Sequence, residues 1–239
     1  MRKATWGNCL RLPEKRPYID TVTMTDHDEQ HDIALQATWE KLLSSFGAAP
    51  DVCAATFAAL ERRYSGPGRV YHTLQHVADV LQWASTLAAY STAPRAVQLA
   101  GWFHDAVYNP RRQDNEEESA AYAGRQLAAS AVPAATIAEV QRLIRLSKNH
   151  QPAAGDGNGQ VLADADLAIL GAPPAVYDRY ARAIRQEYGW LEDDPYRRGR
   201  AQVLRHFLQR EHIYHTPPMR KQWEAAARRN LADELGHLT

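Results

Sequence analysis

The sequence predicts an all-α protein, a single compact helical bundle with additional helices at its C-terminal end. Alanine, leucine, arginine and glutamine, which all favour helices, are abundant in the chain. Apolar residues recur at helical spacing, and no stretch alternates apolar and polar residues for long enough to predict a strand. We expect one domain over residues 29–239, preceded by a disordered extension over residues 1–28, in which Met24 is an alternative start.

The predicted helices follow one another with short connections. Their approximate ranges are 29–46, 51–64, 73–87, 94–106, 114–129, 133–147, 161–170, 174–188, 195–211 and 218–235. The segment Ser65-Gly66-Pro67-Gly68 ends the second helix, and Pro94 begins the fourth, as prolines do in a first turn. Asp114, with Glu117 three residues later, is typical of a capping box. A glycine-rich loop is expected over residues 151–160.

Composition excludes several classes of function. The 239 residues include 28 Lys plus Arg and 28 Asp plus Glu, and this neutral balance argues against a nucleic-acid partner. No apolar run approaches the roughly 20 residues that span a bilayer, and the N-terminal residues lack the apolar segment of a signal peptide. Cys9 and Cys53 have no CxxC spacing, so we expect free thiols in a reducing cytoplasm and no cysteine-bound zinc.

Two histidine motifs lie near predicted helices. His72 and His76 share a helix face if the third helix includes His72, and that arrangement can hold a metal. Thr73 stands where the HExxH motif of zinc proteases has glutamate, so the pair does not predict that chemistry. His104-Asp105 ends an apolar helix, where burying an imidazole and a carboxylate costs free energy unless a partner such as a cation is present. Each motif alone also fits ordinary exposed side chains.

Two aspartates, Asp164 and Asp166, interrupt an apolar helical run over residues 162–170. Aspartate is a poor residue for a helix interior, so each of them needs a partner or a function. One of them could cap a helix while the other faces solvent. The local pattern therefore leaves open which aspartate, if either, is functional.

Taken together, these residues follow a recognisable order. His76 is followed 28 residues later by His104-Asp105, and Asp166 comes 61 residues after Asp105. This order resembles the H…HD…D signature of the HD superfamily of metal-dependent phosphohydrolases. The resemblance implies that His76, His104, Asp105 and Asp166 bind a metal, with Asp164 as the alternative last ligand.

A closer resemblance covers roughly residues 30–235. It rests on the segments Arg69–His76, Trp102–Tyr108, Asp114–Glu116 with Ser119-Ala120, Asp164–Gly171, Arg185–Tyr188, Tyr196–Arg200, Phe207–Arg210 and Ile213-Tyr214. These segments are similar to a group of bacterial proteins described as predicted metal-dependent HD phosphohydrolases. The motifs are specific for the HD fold and much less specific for a substrate.

The implied ligand set predicts the class of metal. Two imidazoles and two carboxylates suit Mn²⁺, Fe²⁺, Co²⁺, Ni²⁺ or Zn²⁺ better than Ca²⁺. Dinuclear HD enzymes use two further histidines between the His-Asp pair and the last aspartate, and this chain has only His150 there. We therefore expect one divalent transition metal, and a di-iron oxygenase is a weaker alternative.

The resemblance implies an enzyme, a phosphohydrolase that cleaves a phosphomonoester or phosphoanhydride of a nucleotide or related small metabolite. Asp105 is expected to act in catalysis as well as at the metal. Glu116 is expected to take or position a proton, because the stringent-response hydrolases, which the chain resembles, use acidic residues shortly after the His-Asp pair. The main alternative is a regulatory module that binds a metal or nucleotide without hydrolysis.

Further polar residues are candidates for holding the substrate or the fold. The four expected to bind the substrate are Arg69, His72, Lys148 and His150. Tyr71 and Tyr108 could stack on a base or sugar, whereas Trp102 is expected in the core. The polar residues near the C-terminus are expected to fix the last helices, with lining of a pocket as the alternative; these are Glu187, Arg200, Arg210 and Tyr214.

Overall fold

A computed structural model describes the backbone of residues 26–238 and the side chains of residues 33–238. The α-helices are α1 (Asp26–Ser44), α2 (Pro50–Tyr64), α3 (Leu74–Thr86), α4 (Pro94–Phe103), α5 (Asn115–Ala128), α6 (Ala134–Leu146), α7 (Gly157–Asp166), α8 (Pro174–Glu187), α9 (Asp193–Leu208) and α10 (Pro217–Leu238). Short 3-10 helices cover Ala88–Tyr90 and Leu167–Gly171. The described residues contain no strand, which confirms the predicted all-α fold. None of the described helices has both the length and the apolar character needed to cross a bilayer.

Some predicted boundaries move. The predicted extension, residues 1–28, falls mainly outside the described residues, and α1 begins at Asp26 rather than at residue 29. The predicted loop over residues 151–160 is wrong in its last part, because α7 begins at Gly157. Asp156 caps this helix by accepting a 2.9 Å hydrogen bond from the amide of Gly159. A Cβ atom at residue 159 would lie 2.3 Å from the same carboxylate, so the cap requires glycine there.

The predicted capping box at the start of α5 is wrong. Asp114 occupies the N-cap position, but its carboxylate makes no capping hydrogen bond. It accepts two 2.7 Å hydrogen bonds from Arg112 instead, and Glu117 pairs with Arg145 at 2.6 Å. Because an arginine fork binds a carboxylate more strongly than a single neutral amide does, both acids are drawn away from the helix end.

The core lies where α3, α4, α6 and α7 pack together, with α1 and α2 against one side. Trp102 is fully buried, as expected, and packs edge-on against Trp39 at 5.4 Å between ring centroids. Phe103 contacts Trp39 in the same way at 5.8 Å. Cys53 is a buried free thiol, while Cys9 lies outside the described residues. This packing fixes the end of α4, where His104 follows directly.

Helices α8 and α10 pack on the 3-10 segment Leu167–Gly171 that follows Asp166, and α9 packs on α10. Tyr214 donates a 3.1 Å hydrogen bond to the carbonyl of Leu167, and the Asn230 amide donates to the carbonyl of Leu170 at 2.8 Å. Arg200 of α9 binds Glu234 of α10 through a fork of 2.8 and 2.9 Å. The C-terminal helices are thereby attached to the chain segment that carries Asp166.

Candidate metal centre

Four side chains converge from three elements. His76 lies in the first turn of α3, His104 and Asp105 follow α4, and Asp166 ends α7. The Nε2 atoms of His76 and His104 are 3.1 Å apart, and Asp166 Oδ1 lies 3.1 Å from the first and 3.6 Å from the second. Asp105 Oδ2 lies 3.1 Å from His104 Nε2 and 3.7 Å from His76 Nε2.

Hydrogen bonding fixes which nitrogen of His104 faces this cluster. Its Nδ1 lies 2.9 Å from the carbonyl oxygen of Gly101. A carbonyl only accepts, so Nδ1 carries a proton, and in the neutral ring Nε2 presents its lone pair to the cluster. Histidine ligands are commonly oriented in this way by a carbonyl on the opposite ring nitrogen.

Asp166 is held by both of its oxygens. Oδ1 faces the two imidazoles, while Oδ2 accepts a 2.8 Å hydrogen bond from His150 Nε2. Asp164, the alternative ligand, points elsewhere and is fully buried. It accepts hydrogen bonds from the amides of His215 and Thr216, each at 2.7 Å, and from the Thr216 hydroxyl at 2.6 Å. Of the two aspartates, Asp166 is therefore the one whose carboxylate lies beside the imidazoles.

The electrostatics of the cluster favour a positive charge. Burial alone would lower the pKa of His104, but the carboxylates of Asp105 and Asp166 raise that pKa well above its ordinary value. Burial alone would likewise raise the pKa values of the two aspartates, and the neighbouring imidazoles lower both. Two carboxylates beside two buried imidazoles need either protons or a cation for charge balance.

This donor set fits a metal ion. One ligand atom from each of His76, His104 and Asp166 lies within 4.8 Å of the others. The two histidines are buried and all three atoms face one point. Asp105 borders the same point through its contacts to the imidazoles. The cluster could therefore hold a metal ion through mixed nitrogen and oxygen ligands, the type of site that transition metals favour.

Sequence reasoning missed how His72 is held. The residue precedes α3, which begins at Leu74, so it does not share a helix face with His76. Its Nδ1 lies 2.6 Å from Glu187 Oε2, which also accepts a 2.9 Å hydrogen bond from the Tyr108 hydroxyl. The carboxylate fixes the ring so that Nε2 is directed to the centre, 3.9 Å from Asp105 Oδ2.

Glu187 anchors the whole segment before α3. Its Oε1 accepts hydrogen bonds of 2.8, 2.8 and 3.0 Å from the amides of Val70, Tyr71 and His72. Burial alone would raise the pKa of Glu187, but these amides and His72 lower it to about 2. The motif Arg185–Tyr188 marked this glutamate as a residue that fixes the fold, but its partners lie more than a hundred residues earlier. No local pattern could indicate them.

Arg69, predicted to bind substrate, has a different set of partners. Its guanidinium donates to the carbonyls of His72 at 2.8 Å and Asp105 at 2.7 Å. It also lies over the rings of Tyr64 and Tyr108. Its donors therefore hold the main chain on both sides of the centre, and Arg69 is not among the residues that line the cavity beside it.

The remaining candidates line one cavity of about 540 Å³ that opens from the centre. Asp105 and Asp166 lie in its wall with His72, Glu116, Lys148 and His150. Lys148 Nζ lies 3.9 Å from Glu116 Oε2 and also donates to the carbonyl of Gln113. Tyr71 and Tyr108 line the cavity as well. The sequence-predicted residues other than Arg69 therefore meet at or beside one opening.

His150 is held in a strained conformation. Its φ of +53° lies in the left-handed region, which costs free energy for a residue with a side chain. Its carbonyl accepts a 3.0 Å hydrogen bond from His215 Nε2 and a longer one of 3.4 Å from Arg210. Arg210 also donates to the carbonyl of Asn149 at 2.7 Å. His215 was not predicted, and nothing in its local sequence indicates this role.

Comparison with known proteins adds no name to this centre. No family model, no curated protein and no solved structure matches the chain. The chemistry of the centre is therefore inferred from its own residues and their geometry.

Proposed function

We propose that the protein is a metal-dependent phosphohydrolase of the HD type, acting on a phosphomonoester or phosphoanhydride of a nucleotide or related small metabolite. One observation carries the proposal: the buried cluster of His76, His104 and Asp166 adjoins Asp105 and opens into a cavity large enough for a small molecule. The order of these residues along the chain, which resembles the HD signature, supports the same reaction class.

The proposed resident cofactor is one divalent transition metal, Mn²⁺, Fe²⁺, Co²⁺, Ni²⁺ or Zn²⁺. His76, His104 and Asp166 would hold it through ligand atoms that lie close together, and Asp105 would join them, since its Oδ2 lies 3.1 and 3.7 Å from the two Nε2 atoms. When bound, such an ion would supply Lewis-acid polarisation of a phosphoryl oxygen and make water a better nucleophile at neutral pH.

The chain's own residues have separate roles in this proposal. Glu116 is in the cavity wall and partly exposed, so its carboxylate can take the proton of an attacking water. Lys148 and His150 bring cationic or hydrogen-bonding groups to the substrate's phosphoryl oxygens. His72, fixed by Glu187 through Nδ1, places its Nε2 beside Asp105 at the edge of the centre.

Phosphate release from metal-stripped protein tests the proposal. The protein is reloaded in turn with Mn²⁺, Co²⁺, Ni²⁺, Zn²⁺ and, anaerobically, Fe²⁺, and is given a panel of nucleotides and small phosphoesters. We expect release with at least one metal, and its loss in His104→Ala and Asp105→Ala. His237→Ala, which removes an exposed histidine, serves as the matched control. Stoichiometric metal binding without phosphate release from any substrate would reject hydrolysis and favour a binding module.

A further inference from the structure

The cavity continues well beyond the metal centre into an apolar region. This part is formed by the 3-10 segment Leu167–Gly171, by helices α8, α9 and α10 and by the loop between α8 and α9, and it is partly open to solvent. We define the apolar compartment by its lining residues Ile169, Leu170, Ile184, Leu191, Val203, Leu204, Phe207 and Leu231. Ile169, Leu170, Ile184, Leu204 and Leu231 are buried among other core side chains, so the compartment is a formed surface of the fold.

Tyrosine rings line the same cavity beside the apolar compartment. The wall contains Tyr71, Tyr180, Tyr188 and Tyr196. The rings of Tyr71 and Tyr180 meet edge-on at 4.7 Å between centroids, and Tyr71 also contacts the His76 ring at 4.8 Å. A ligand that reaches from the metal centre into the compartment therefore passes aromatic faces, which favour flat or apolar groups.

The cationic side chains in the cavity wall already have anionic or carbonyl partners. Arg112 binds Asp114 through two hydrogen bonds of 2.7 Å. Arg200 binds Glu234 at 2.8 and 2.9 Å. Lys148 lies near Glu116 and donates to a carbonyl, although its side chain is 58% exposed. Of the arginines and lysines that the structure places in this wall, Lys148 is the one best able to turn toward an added phosphate.

From the apolar and aromatic wall of the cavity and from its paired cations we infer the substrate class. It is a phosphomonoester in which a single phosphoryl group, held at the metal centre, is joined to a bulky apolar or aromatic alcohol that fills the apolar compartment. A chain of two or three phosphates would bring negative charge that few unpaired cations could balance. This inference rests on the proposed phosphohydrolase function and narrows it.

The reaction that follows is a simple hydrolysis. Water attacks phosphorus, the ester P–O bond breaks, and the alcohol leaves with a proton as inorganic phosphate forms. The apolar compartment takes no part in bond breaking. It binds the organic group, so its changes should alter KM for bulky esters and leave turnover of very small esters nearly intact.

Val203 provides the first test, because it lines the compartment and is 46% exposed, so a polar replacement is compatible with folding. Val203→Asp puts a carboxylate against the substrate's apolar group. We expect KM for 1-naphthyl phosphate to rise roughly tenfold, with KM for methyl phosphate changed less than about twofold. Ile33→Asp is the matched control, since Ile33 is 65% exposed on α1. Equal effects on both esters in Val203→Asp would overturn the inference.

Gly199 provides a second test from the opposite direction. It lines the cavity within α9, and a Cβ atom there meets nothing within 4 Å, so the first atom of a side chain can be added without a clash. Gly199→Leu should narrow the opening and weaken binding of naphthyl more than of methyl esters. Gly236→Leu, at an equally open position in α10 outside this cavity wall, controls for the general effect of leucine in a helix. Unchanged binding of the naphthyl ester in Gly199→Leu would contradict the inference that the organic group enters the cavity beside Gly199.

A binding measurement separates failure of this inference from failure of the proposed function. Calorimetry with metal-loaded protein compares 1-naphthylphosphonate, methylphosphonate and ATP in a form whose anhydride oxygens are replaced by methylene groups, so that no P–O–P bond can be hydrolysed during the measurement. We expect the naphthyl compound to bind at least roughly tenfold more tightly than methylphosphonate, and Val203→Asp to remove that difference. Tighter binding of 1-naphthylphosphonate than of methylphosphonate, without phosphate release from any ester, would support the apolar compartment and reject the hydrolase. Phosphate release with tighter binding of ATP would keep the hydrolase and reject the compartment.

Discussion

Helix α7 carries two aspartates with opposite environments, although they are separated by a single residue. Asp164 is fully buried and accepts three hydrogen bonds from the two residues just before α10, so both of its oxygens serve the fold. Asp166 ends the same helix beside two imidazoles and retains one oxygen that faces them. Their local sequence is nearly the same, and the difference comes from what the rest of the chain brings to each carboxylate.

The comparison shows how a structural carboxylate differs from a functional one. A structural carboxylate is surrounded by donors that belong to the main chain or to a hydroxyl. A carboxylate proposed to bind a metal lies beside other acceptor atoms and lone pairs. That arrangement is favourable only when a cation or a proton lies between them. Each prediction below changes one side of this comparison.

The largest effect is expected from Asp166→Ala. Removing this carboxylate deletes a proposed metal ligand, so metal affinity should fall roughly 1,000-fold, more than the 10- to 100-fold typical of an outer-shell change. Titration of metal-stripped protein with Co²⁺, followed by absorption or calorimetry, measures the affinity. Asp164→Asn is the paired variant, and its folded fraction should bind Co²⁺ within about threefold of the wild type. If Asp164→Asn lost Co²⁺ affinity and Asp166→Ala kept it, Asp164 would be the metal ligand and Asp166 would not.

Asp164→Ala should instead reduce stability. Two amides and one hydroxyl would lose their acceptor inside the protein, and we expect the free energy of unfolding to fall by about 3 kcal/mol. Urea unfolding of the metal-free protein measures this loss without a contribution from bound metal. Asp166→Ala under the same conditions should cost less, about 1 kcal/mol, because it removes one hydrogen bond from His150 and the attraction of the neighbouring imidazoles but leaves no main-chain amide without an acceptor. Equal destabilisation by the two variants would remove the distinction drawn above.

Glu187→Gln tests a third carboxylate, which both holds the main chain before α3 and orients His72 beside the candidate metal centre. A glutamine offers one acceptor oxygen where Glu187 offers two, so either the amides before α3 or His72 and Tyr108 lose a partner. We expect a loss of about 2 kcal/mol in the free energy of unfolding. Nitrogen NMR of His72 should also show a changed tautomer. The exposed residue change Glu211→Gln should alter neither property.

The smallest effect concerns Asp79 of α3, a half-buried carboxylate with a hydrogen bond from Gln75. Burial raises its pKa from 3.8 to about 7, and the Gln75 hydrogen bond lowers it only in part. The folded protein therefore binds this proton more tightly than the unfolded chain, and its stability falls as pH rises from about 4 to about 7. Asp79→Asn should remove that loss and stabilise the protein by roughly 1 kcal/mol at pH 8. Urea unfolding at pH 4.5 and pH 8 checks the sign, with the exposed residue change Asp233→Asn as the control.

The helices were predictable because their signals are local. Helix propensity, proline at Pro94 and the breaker at residues 65–68 act within a few residues, and the observed elements follow them closely. The convergence of His76, His104 and Asp166 was also predicted, although only through the order of residues along the chain. The capping box failed because Arg112 and Arg145 compete for its acids, and charge pairing of that kind depends on neighbours in space.

The support around the centre could not be predicted for the same reason. Arg69 was expected to contact substrate, yet its donors hold two main-chain carbonyls. Glu187 reaches the segment before α3 across more than a hundred residues. His215 carries no local pattern at all. A sequence pattern can identify atoms able to bind a metal, whereas the residues that orient them are determined by tertiary packing.

The hydrogen bonds that tie residues 149–164 to residues 210–216 also impose an order of events. The carbonyl of His150 accepts from Arg210 and His215, and the carboxylate of Asp164 accepts from His215 and Thr216. Domains emerge from the ribosome with the N-terminal part first, so these contacts form only after residue 216 has been synthesised. We therefore expect a chain that stops before residue 210 to bind metal poorly, so that metal capture distinguishes chains that include this segment from shorter ones.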